Sequence, residues 1–397
     1  MRSSLGLWLL AAALGLGCLA GTLPARAQPA ASGVTVFASG TEGYATFRIP
    51  AIVEATNGML LAFAEGRKGG AADTGDIDLV LKRSADGGLT WGPLILVADN
   101  GPNTCGNPVP IVDAPSGRVV LLTTQNRGNV AEWQILQGKV EDRRVYVQES
   151  ADCGATWTAP REITVEAKRR DWRCYATGPG HGIQLRRGPH AGRLVAPCDH
   201  STSAANDWSA CGAHLLLSDD GGRTWRIGAV DEPGTGQVNP NETTAVELTG
   251  GEILAVTRNQ EGKLPGHRAA ARSRDGGVTF AAPFALEPSL VSPVVEGALL
   301  RAAAVDQGDP TNRLLFSAPG DPIKRQRMTV WSSFDEGRTW DSGHLVNPGA
   351  SAYSDMVRLA GGKIGLLYET GARNPYERIV FQVLSPALLD GAGPPGR

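Results

Sequence analysis

The 397-residue sequence lacks the features of helical and nucleic-acid-binding proteins. Beyond residue 27, no long stretch repeats apolar residues at the 3.6-residue spacing of an amphipathic helix. The formal net charge is only −2, so no excess of one sign indicates a nucleic-acid or anionic-membrane partner. No Pro/Ser-rich linker divides the chain, so we expect a single domain after the N-terminal segment.

The sequence also lacks the common motifs of metal, phosphate and thiol chemistry. It has no HExxH, no CxxC pair and no phosphate-binding P-loop, and its six histidines show no metal-ligand spacing. The run 73–78 (DTGDID) weakly resembles a calcium loop but lacks the Gly and Glu that such a loop needs at its sixth and twelfth positions. The glycine-rich run 178–182 (GPGHG) opens no helix and is interpreted as a tight loop. We therefore expect no metal or organic cofactor.

One eight-residue phrase, S-x-D-x-G-x-T-W, is present in five copies. The copies are 84–91 (SADGGLTW), 150–157 (SADCGATW), 218–225 (SDDGGRTW), 273–280 (SRDGGVTF) and 333–340 (SFDEGRTW), with starts 66, 68, 55 and 60 residues apart. The phrase is typical of a tight turn between strands, because Ser and Asp side chains hydrogen-bond local amides and Gly adopts positive φ. So regular a period predicts one supersecondary unit that is copied and stacked.

Short apolar runs between the copies predict the strands. They are 59–64 (MLLAFA), 119–123 (VVLLT), 193–196 (RLVA), 253–257 (ILAVT) and 363–368 (KIGLLY), and each follows a Gly-containing turn. About sixty residues hold four strands with their turns, the size of one propeller blade. The sequence therefore predicts an all-β fold over residues 28–390, a six-bladed β-propeller with four-stranded antiparallel blades.

The first 27 residues have the pattern of a secretory signal peptide. Arg2 is followed by an apolar segment from Leu5 to Ala20 and by an A-x-A site at residues 25–27. We predict cleavage after Ala27 and a secreted protein, periplasmic or extracellular, that is not inserted in the membrane. An uncleaved anchor helix and lipid attachment at Cys18 are the alternatives.

Export leaves five cysteines, an odd number that excludes complete intramolecular pairing. Cys198 and Cys211 are candidates for a bridge between adjacent strands, although spacing alone does not establish one. Residues 391–397 are predicted to be a disordered tail, and we expect a monomer.

An arginine stands in an apolar setting in the FRIP segment, residues 47–50. FRIP followed by a series of these boxes resembles the sialidase (neuraminidase) family, and the resemblance runs from about residue 37 to residue 384. It implies a six-bladed propeller with a pocket where three arginines bind the carboxylate of sialic acid. Paired guanidinium groups match such a permanently ionised carboxylate bidentately, as a lysine does not.

The family's binding residues are matched one at a time. Arg48 of FRIP matches the first arginine, Arg268 in HRAAARS the second, and Arg325 in KRQRMTV the third. Lys324 and Arg327 are alternatives for the third position. Glu369 in LLYETG resembles the glutamate that braces the first arginine.

The resemblance also implies the catalytic set. Tyr353 in AYSDMVRL matches the family's tyrosine nucleophile, and Glu242 in NPNETTAVEL matches the glutamate that activates it. A free phenol has a pKa near 10 and needs an adjacent base at neutral pH. A tyrosine also avoids the repulsion that a carboxylate nucleophile would meet from the substrate's own carboxylate, an exception to the usual pair of carboxylates.

Asp73 is predicted to be the general acid/base, because it lies in a Gly/Ala-rich loop able to approach the sugar, with Asp76 and Asp78 as competitors. Arg67, just before this loop, and Asn107 in GNPVPIVD are predicted to contact the substrate. With the signal-peptide pattern, the resemblance implies a secreted, retaining exo-α-sialidase that hydrolyses terminal α-linked sialic acid from sialylated glycans through a tyrosyl intermediate. The alternatives are a non-catalytic lectin-like propeller and a hydrolase or trans-glycosidase for another carboxylated sugar.

Overall fold

The structure, a computed structural model, describes residues 33–141, 143–205, 207–231, 238–260 and 266–390. Strands make up most of this part of the chain, and the prediction of an all-β fold is confirmed. The predicted signal peptide and the predicted tail at 391–397 lie outside the described residues. Within the described ranges, no helix has both the length and the apolar character needed to cross a bilayer.

The strands form antiparallel ladders that follow one another along the chain, and one parallel bridge, Ile77 opposite Thr104, joins the first two. The first ladder contains β2 (Thr46–Glu54), β3 (Leu60–Arg67), β4 (Ile77–Ser84) and β5 (Ile95–Ala98). The next contains β6 (Thr104–Asp113), β7 (Arg118–Asn126), β8 (Arg144–Ser150) and β9 (Arg161–Glu162). It is followed by β10 (Trp172–Thr177), β12 (Leu194–Thr202), β13 (Cys211–Ser218) and β14 (Arg226–Asp231), with β11 (Ile183–Gln184) beside β12.

The later ladders continue the pattern with β15 (Pro240–Glu247), β16 (Ile253–Asn259), β17 (His267–Ser273) and β18 (Ala285–Val291). Then come β19 (Ala298–Ala303), β20 (Arg313–Pro319), β21 (Gln326–Ser333) and the long β22 (His344–Arg358). β22 also pairs with β23 (Ile364–Gly371), which pairs with β24 (Arg378–Leu384). The helices are α1 (Glu132–Leu136), α2 (Thr164–Ala167) and α3 (Pro386–Asp390), with 3-10 turns at Gly188–His190, Trp208–Ala210, Val305–Gln307 and Ala360–Gly362.

The two ends of the described chain meet in one ladder. β1 (Val34–Ala38) is antiparallel to β24, with Val34 opposite Phe381. Phe381 also packs edge-to-face on Trp91 of the first box, with 5.4 Å between the ring centroids. The first ladder therefore packs against the last, and buried side chains of both form one apolar cluster.

Each S-x-D-x-G-x-T-W box is a turn with the same hydrogen bonds. In the first box, Ser84 Oγ donates to Asp86 Oδ1 (2.8 Å) and accepts from the Gly88 amide (2.9 Å). Asp86 Oδ1 also accepts from the Thr90 amide at 2.9 Å. The other four boxes repeat this arrangement. The regular period of the sequence therefore reflects a repeated structural turn, and none of these turns lines the candidate site.

Register shifts interrupt the first strand of several ladders. They lie between Arg48 and Ala51 in β2, Gly106 and Val109 in β6, Trp172 and Tyr175 in β10, Pro240 and Thr243 in β15, and Ser351 and Ser354 in β22. Such bulges leave residues unpaired and redirect their side chains. Ile49 (φ 57°) and Asn107 (φ 55°) lie in the left-handed region, which is unfavourable for a β-branched residue and is often found at functional sites.

All five cysteines in the described part of the chain are free thiols. Cys198 and Cys211 do lie on adjacent strands, as the sequence suggested. However, Cys198 is opposite His214 and Cys211 is opposite Ser201, so the register holds the two sulfurs apart. The fold therefore depends on packing and hydrogen bonds rather than on a bridge between β12 and β13.

Candidate active site

The bulged strands converge on a polar cavity of about 190 Å³. Seven of the nine predicted site residues line it, and Glu369 and Arg268 do not. The seven are Arg48, Arg67, Asp73, Asn107, Glu242, Arg325 and Tyr353. These residues come from distant parts of the sequence, and the arrangement of the ladders brings them together.

Tyr353 and Glu242 form a hydrogen-bonded pair inside this cavity. The Tyr353 hydroxyl donates to Glu242 Oε1, and Arg258 donates to the other carboxylate oxygen of Glu242 at 2.7 Å and to the Tyr353 oxygen at 3.2 Å. Burial and the charge of Glu242 raise the pKa of Tyr353 well above its ordinary value, against the opposing effect of nearby arginines. A phenol in this setting reacts only if a base takes its proton, and Glu242 is in place to do so.

Arg48 is fixed at the floor of the cavity by a buried carboxylate. Its Nε donates to Glu369 Oε1 at 3.1 Å and its Nη2 to Oε2 at 3.3 Å. Burial alone disfavours the charged guanidinium, but Glu369 reverses this effect and raises the pKa of Arg48. The guanidinium also lies over the rings of Tyr376 (4.2 Å) and Tyr353 (5.1 Å). Glu369, which does not line the cavity, thus holds the Arg48 guanidinium by two hydrogen bonds.

Arg325 approaches Tyr353 from another side. Its Nη1 donates to the Tyr376 hydroxyl at 2.9 Å, and its guanidinium carbon lies 5.6 Å from the centre of the Tyr353 ring. Arg48, Arg258 and Arg325 therefore converge on Tyr353, and such a set of guanidinium groups can hold one carboxylate.

The structure corrects the predicted position of Arg268. This side chain is 1% exposed, its Nη1 donates to the Val295 carbonyl, and its guanidinium packs 5.2 Å from the Phe316 ring centre. It lies on β17, whereas Arg258, at the end of β16, supplies the cavity arginine. The motif match placed the arginine one strand too late in the same ladder.

Asp73 lies in the loop between β3 and β4, as predicted, and about half of its side chain is exposed. Arg67 Nη1 donates to Asp73 Oδ1 at 2.7 Å, and Arg48 Nη1 is 3.5 Å from the same oxygen. Burial tends to raise the pKa of Asp73, but the charges of Arg67 and Arg48 outweigh it and lower the pKa. Arg67 is itself held by Glu65, with 3.0 Å between Nε and Oε2.

Glu65 links Arg67 to the bulge of β6. Its Oε1 accepts the Asn107 amide at 2.8 Å, and Gly106 leaves room for the carboxylate, because a Cβ there would lie 2.2 Å from Oε1. Asn107 Oδ1 accepts from Thr124 at 2.9 Å. These contacts place Asn107 on the cavity wall beside the Asp73 loop.

A further wall of the cavity is formed by residues that sequence reasoning did not select. They include Glu132, Arg143, Tyr175, Asp199, Trp208 and Asn241. Arg143 pairs with Glu132, and Asn241 donates to Asp199 Oδ1 at 3.2 Å. Burial, reinforced by the charge of Glu242, raises the pKa of Asp199 well above its ordinary value. This wall therefore offers mainly neutral or internally paired groups, in contrast to the arginine side.

Three of the missed residues had a signal in the sequence. Arg258 ends an apolar strand run (ILAVTRN) sixteen residues after Glu242, Tyr376 follows Glu369 by seven, and Glu65 stands two residues before Arg67. A rule that polar residues near strand ends line the site would have selected Arg258 and Glu65, whereas Tyr376 lies in the loop between β23 and β24.

The competitors of Asp73 have other partners. Lys68 Nζ lies 2.9 Å from Asp76 and 3.1 Å from Asp78, and Tyr44 donates to Asp78 at 2.8 Å. Among the described residues, no cluster of three or more His, Cys, Asp or Glu side chains is placed to hold a metal ion. Residues 73–76 belong to the loop that precedes β4, Asp78 lies in β4 itself, and both Asp76 and Asp78 are paired to Lys68.

Comparison of the sequence and fold with known proteins identifies the family. Residues 58–366 match the family described as BNR repeat-like domain. The chain is 32% identical to a sialidase of Micromonospora viridifaciens, over 92% of this chain and 57% of that longer protein. It is 31% identical to an exo-alpha-sialidase of Aspergillus fumigatus, over 86% of this chain and 84% of the other. A solved Hadza microbial sialidase superposes with a TM-score of 0.78 and 26% identity, over 89% of this chain and 68% of that one. The chain belongs to the sialidase family of glycoside hydrolases.

Proposed function

We propose that this protein is a retaining exo-α-sialidase that releases terminal α-linked sialic acid from glycans. The observation that carries the proposal is the hydrogen bond from Tyr353 to Glu242 inside a cavity lined by three converging arginines. The curated relatives named sialidase and exo-alpha-sialidase support the same activity.

Substrate binding rests on Arg48, Arg258 and Arg325. The sugar carboxylate is ionised at neutral pH, and the three guanidinium groups bind it next to Tyr353. Glu369 keeps Arg48 charged and oriented, and Tyr376 positions both Arg48 and Arg325. The anomeric carbon, which carries this carboxylate, is thereby placed beside the Tyr353 hydroxyl.

In the first chemical step, Tyr353 attacks the anomeric carbon while its proton passes to Glu242. Asp73 donates a proton to the glycosidic oxygen, the bond to the leaving sugar breaks, and a tyrosyl–glycosyl intermediate forms. Positive charge that develops on the ring is balanced by the substrate's own carboxylate. In the second step, Asp73 takes a proton from water, and the water oxygen attacks the same carbon. The bond to the Tyr353 oxygen breaks, Glu242 returns its proton to that oxygen, and the sugar leaves with its original configuration.

Asp73 must be protonated to act as the acid, although Arg67 and Arg48 lower its pKa in the free enzyme. Binding of the substrate carboxylate brings a negative charge to Arg48, which lies 3.5 Å from Asp73. This charge raises the pKa of Asp73 when the acid is required. Arg67 and Asn107 contact the sugar from the same side.

We further propose that the ladders are the six blades of a closed propeller over residues 28–390. The pairing of β1 with β24 and the packing of Trp91 on Phe381 support closure. We propose a secreted monomer after removal of residues 1–27, with sialylated glycans as partners.

The test is release of sialic acid from sialyllactose by residues 28–397, followed by proton NMR. We expect the α-anomer to appear first and to mutarotate later, as retention requires. Initial formation of the β-anomer would contradict the tyrosyl intermediate. Binding of sialyllactose without release would instead favour a lectin, and release from another carboxylated sugar alone would favour a related glycosidase.

A further inference from the structure

The backbone amides of Tyr353 and Ser354 donate to carboxyl groups. The bulge of β22 lies between Ser351 and Ser354, so Tyr353 has no partner in β23, and the pairing resumes at Ser354. The Tyr353 amide donates to Glu369 Oε2 at 3.2 Å, and the Ser354 amide donates to Glu296 Oε2 at 3.0 Å. Two consecutive peptide groups at the proposed nucleophile are therefore fixed by two separate side chains.

Within the described structure, Glu296 has one hydrogen-bond partner, the Ser354 amide. It lies between β18 and β19, is 2% exposed, and is not part of the cavity wall. Its Oε2 accepts the Ser354 amide, and within the described residues its Oε1 has no hydrogen-bond partner. Burial raises the pKa of Glu296, and the Ser354 amide and Arg268 oppose this change. A carboxyl group buried at such a cost for one backbone bond points to a positioning role.

Arg268 supports Glu296 from behind. Its guanidinium donates to the carbonyl of Val295, the residue before Glu296, and is buried against Phe316. It therefore fixes the backbone beside Glu296 and supplies a positive charge near a buried carboxyl group. This gives a physical reason for an arginine at a position that the sequence had assigned to the substrate.

Buried carboxyl groups also accept hydrogen bonds from backbone amides of β2. Asp355 Oδ2 accepts the Ile52 amide of β2 at 2.8 Å, and Glu369 Oε1 accepts the Ile49 amide at 2.9 Å. Asp355 Oδ1 in turn is hydrogen-bonded to His181 of the GPGHG loop at 2.6 Å. The bulges that carry Arg48 and Tyr353 are thus both held by buried carboxyl groups.

We propose that Glu296 is a positioning residue that sets the place of Tyr353 through the Ser354 amide. This inference rests on the proposed function, in which Tyr353 is the nucleophile. Without the acceptor, the peptide between Tyr353 and Ser354 shifts, and the Tyr353 oxygen is no longer in line with the anomeric carbon. A misplacement of about 1 Å costs roughly 10²-fold in rate, whereas carboxylate binding by the arginines is retained.

The test uses a 2,3-difluorinated sialyl donor that traps a glycosyl–enzyme, with the labelling rate and the inhibition constant measured separately. Glu296→Met removes the acceptor and is expected to slow labelling of Tyr353 by about 10²-fold with the inhibition constant changed by less than about threefold. Glu296→Gln keeps an acceptor oxygen and is expected to restore most of the rate. Glu296→Asp withdraws the acceptor by one methylene and should fall between them, which keeps the test open if Glu296→Met does not fold.

Glu247→Met is the matched control. Glu247 is also a buried carboxylate, and it accepts the Arg186 and Arg187 amides at 3.1 and 2.9 Å, five residues along β15 from Glu242. Glu247 lies about 16 Å from Glu242 along β15. Its loss should therefore lower the free energy of unfolding without slowing the labelling of Tyr353.

Labelling of Glu296→Met at the wild-type rate would overturn the proposal. An equal loss of labelling rate in Glu296→Gln or in Glu247→Met would also overturn it, because either result would indicate an effect other than positioning by the acceptor oxygen. If the wild-type protein is not labelled on Tyr353, the nucleophile assignment fails first, and the role of Glu296 falls with it. Peptide mass spectrometry of the labelled site distinguishes these outcomes.

Discussion

Arg67 and Asp73 form an ion pair at the cavity, with 2.7 Å between Nη1 and Oδ1. This contact lowers the pKa of the proposed general acid in the free enzyme, even though burial acts in the opposite direction. The acid form of Asp73 is lost as the pH rises through this lowered pKa, so kcat/KM is expected to fall on its alkaline side. The substrate carboxylate should raise that pKa, so the corresponding limb of kcat should lie at higher pH. Steady-state kinetics on sialyllactose from strongly acidic to neutral pH measure both limbs.

The control for this prediction is Arg67→Met, which removes the charge that lowers the pKa. The alkaline limb of kcat/KM should then move to higher pH, because the Asp73 pKa returns toward about 3.9. Arg67→Lys keeps the charge and should shift it less. If the alkaline limb of kcat/KM lies at the same pH in the wild type, Arg67→Met and Arg67→Lys, a group other than Asp73 controls the rate.

Loss of the Tyr353 hydroxyl should remove the chemistry but leave the binding site. Tyr353→Phe deletes the group that donates to Glu242 and accepts from Arg258. We expect kcat on sialyllactose to fall by at least about 10³-fold, because the nucleophile is absent. Calorimetry with an unsaturated sialic acid analogue should give an affinity within a few-fold of wild type. A variant that retains wild-type kcat would show that Tyr353 does not attack the sugar.

Arg258 and Arg268 provide a direct comparison between two arginines of one ladder. Arg258→Met should weaken binding of a carboxylate-bearing analogue by about 10- to 100-fold, because a charge-assisted hydrogen bond is worth about 1.5–3 kcal/mol. Arg268→Met should leave that affinity within a few-fold, because its guanidinium faces Val295 and Phe316 rather than the cavity. Isothermal titration at constant salt measures both. The reverse order of effects would restore Arg268 to the binding site.

The fold class was predictable because its signal is local and repeated. Each box contains the Ser, Asp, Gly and Thr that make the hydrogen bonds of its own turn, so the turn can be predicted from these eight residues alone. Arg48, Tyr353 and Glu242 were identified because distinctive short motifs surround them. The structure brings these residues into one cavity, and their roles stay proposals.

The remaining part of the site depends on register between distant segments. Arg258 comes after an apolar run and Arg268 before one, on two strands of the same ladder. Only strand pairing decides which guanidinium faces the cavity. The contact of Glu296 with Ser354 joins residues 58 positions apart across a bulge. No local pattern predicts a bulge that releases a backbone amide, because its position depends on the carboxyl group that comes to accept it.

Two adjacent glycines of the first box should respond very differently to the same substitution. A Cβ added to Gly87 (φ 72°) would have nothing within 4 Å, whereas a Cβ on Gly88 (φ 90°) would lie 2.0 Å from the Phe381 ring. Gly87→Ala should lower the free energy of unfolding by about 1–2 kcal/mol, the cost of a left-handed alanine. Gly88→Ala should cost at least about 3 kcal/mol, because it adds overpacking where the first ladder meets the last. Urea unfolding of both variants measures the difference. Equal losses in the free energy of unfolding would mean that the Phe381 ring moves aside without an energetic cost. The contact between Gly88 and Phe381 would then contribute little to joining the two ends of the chain.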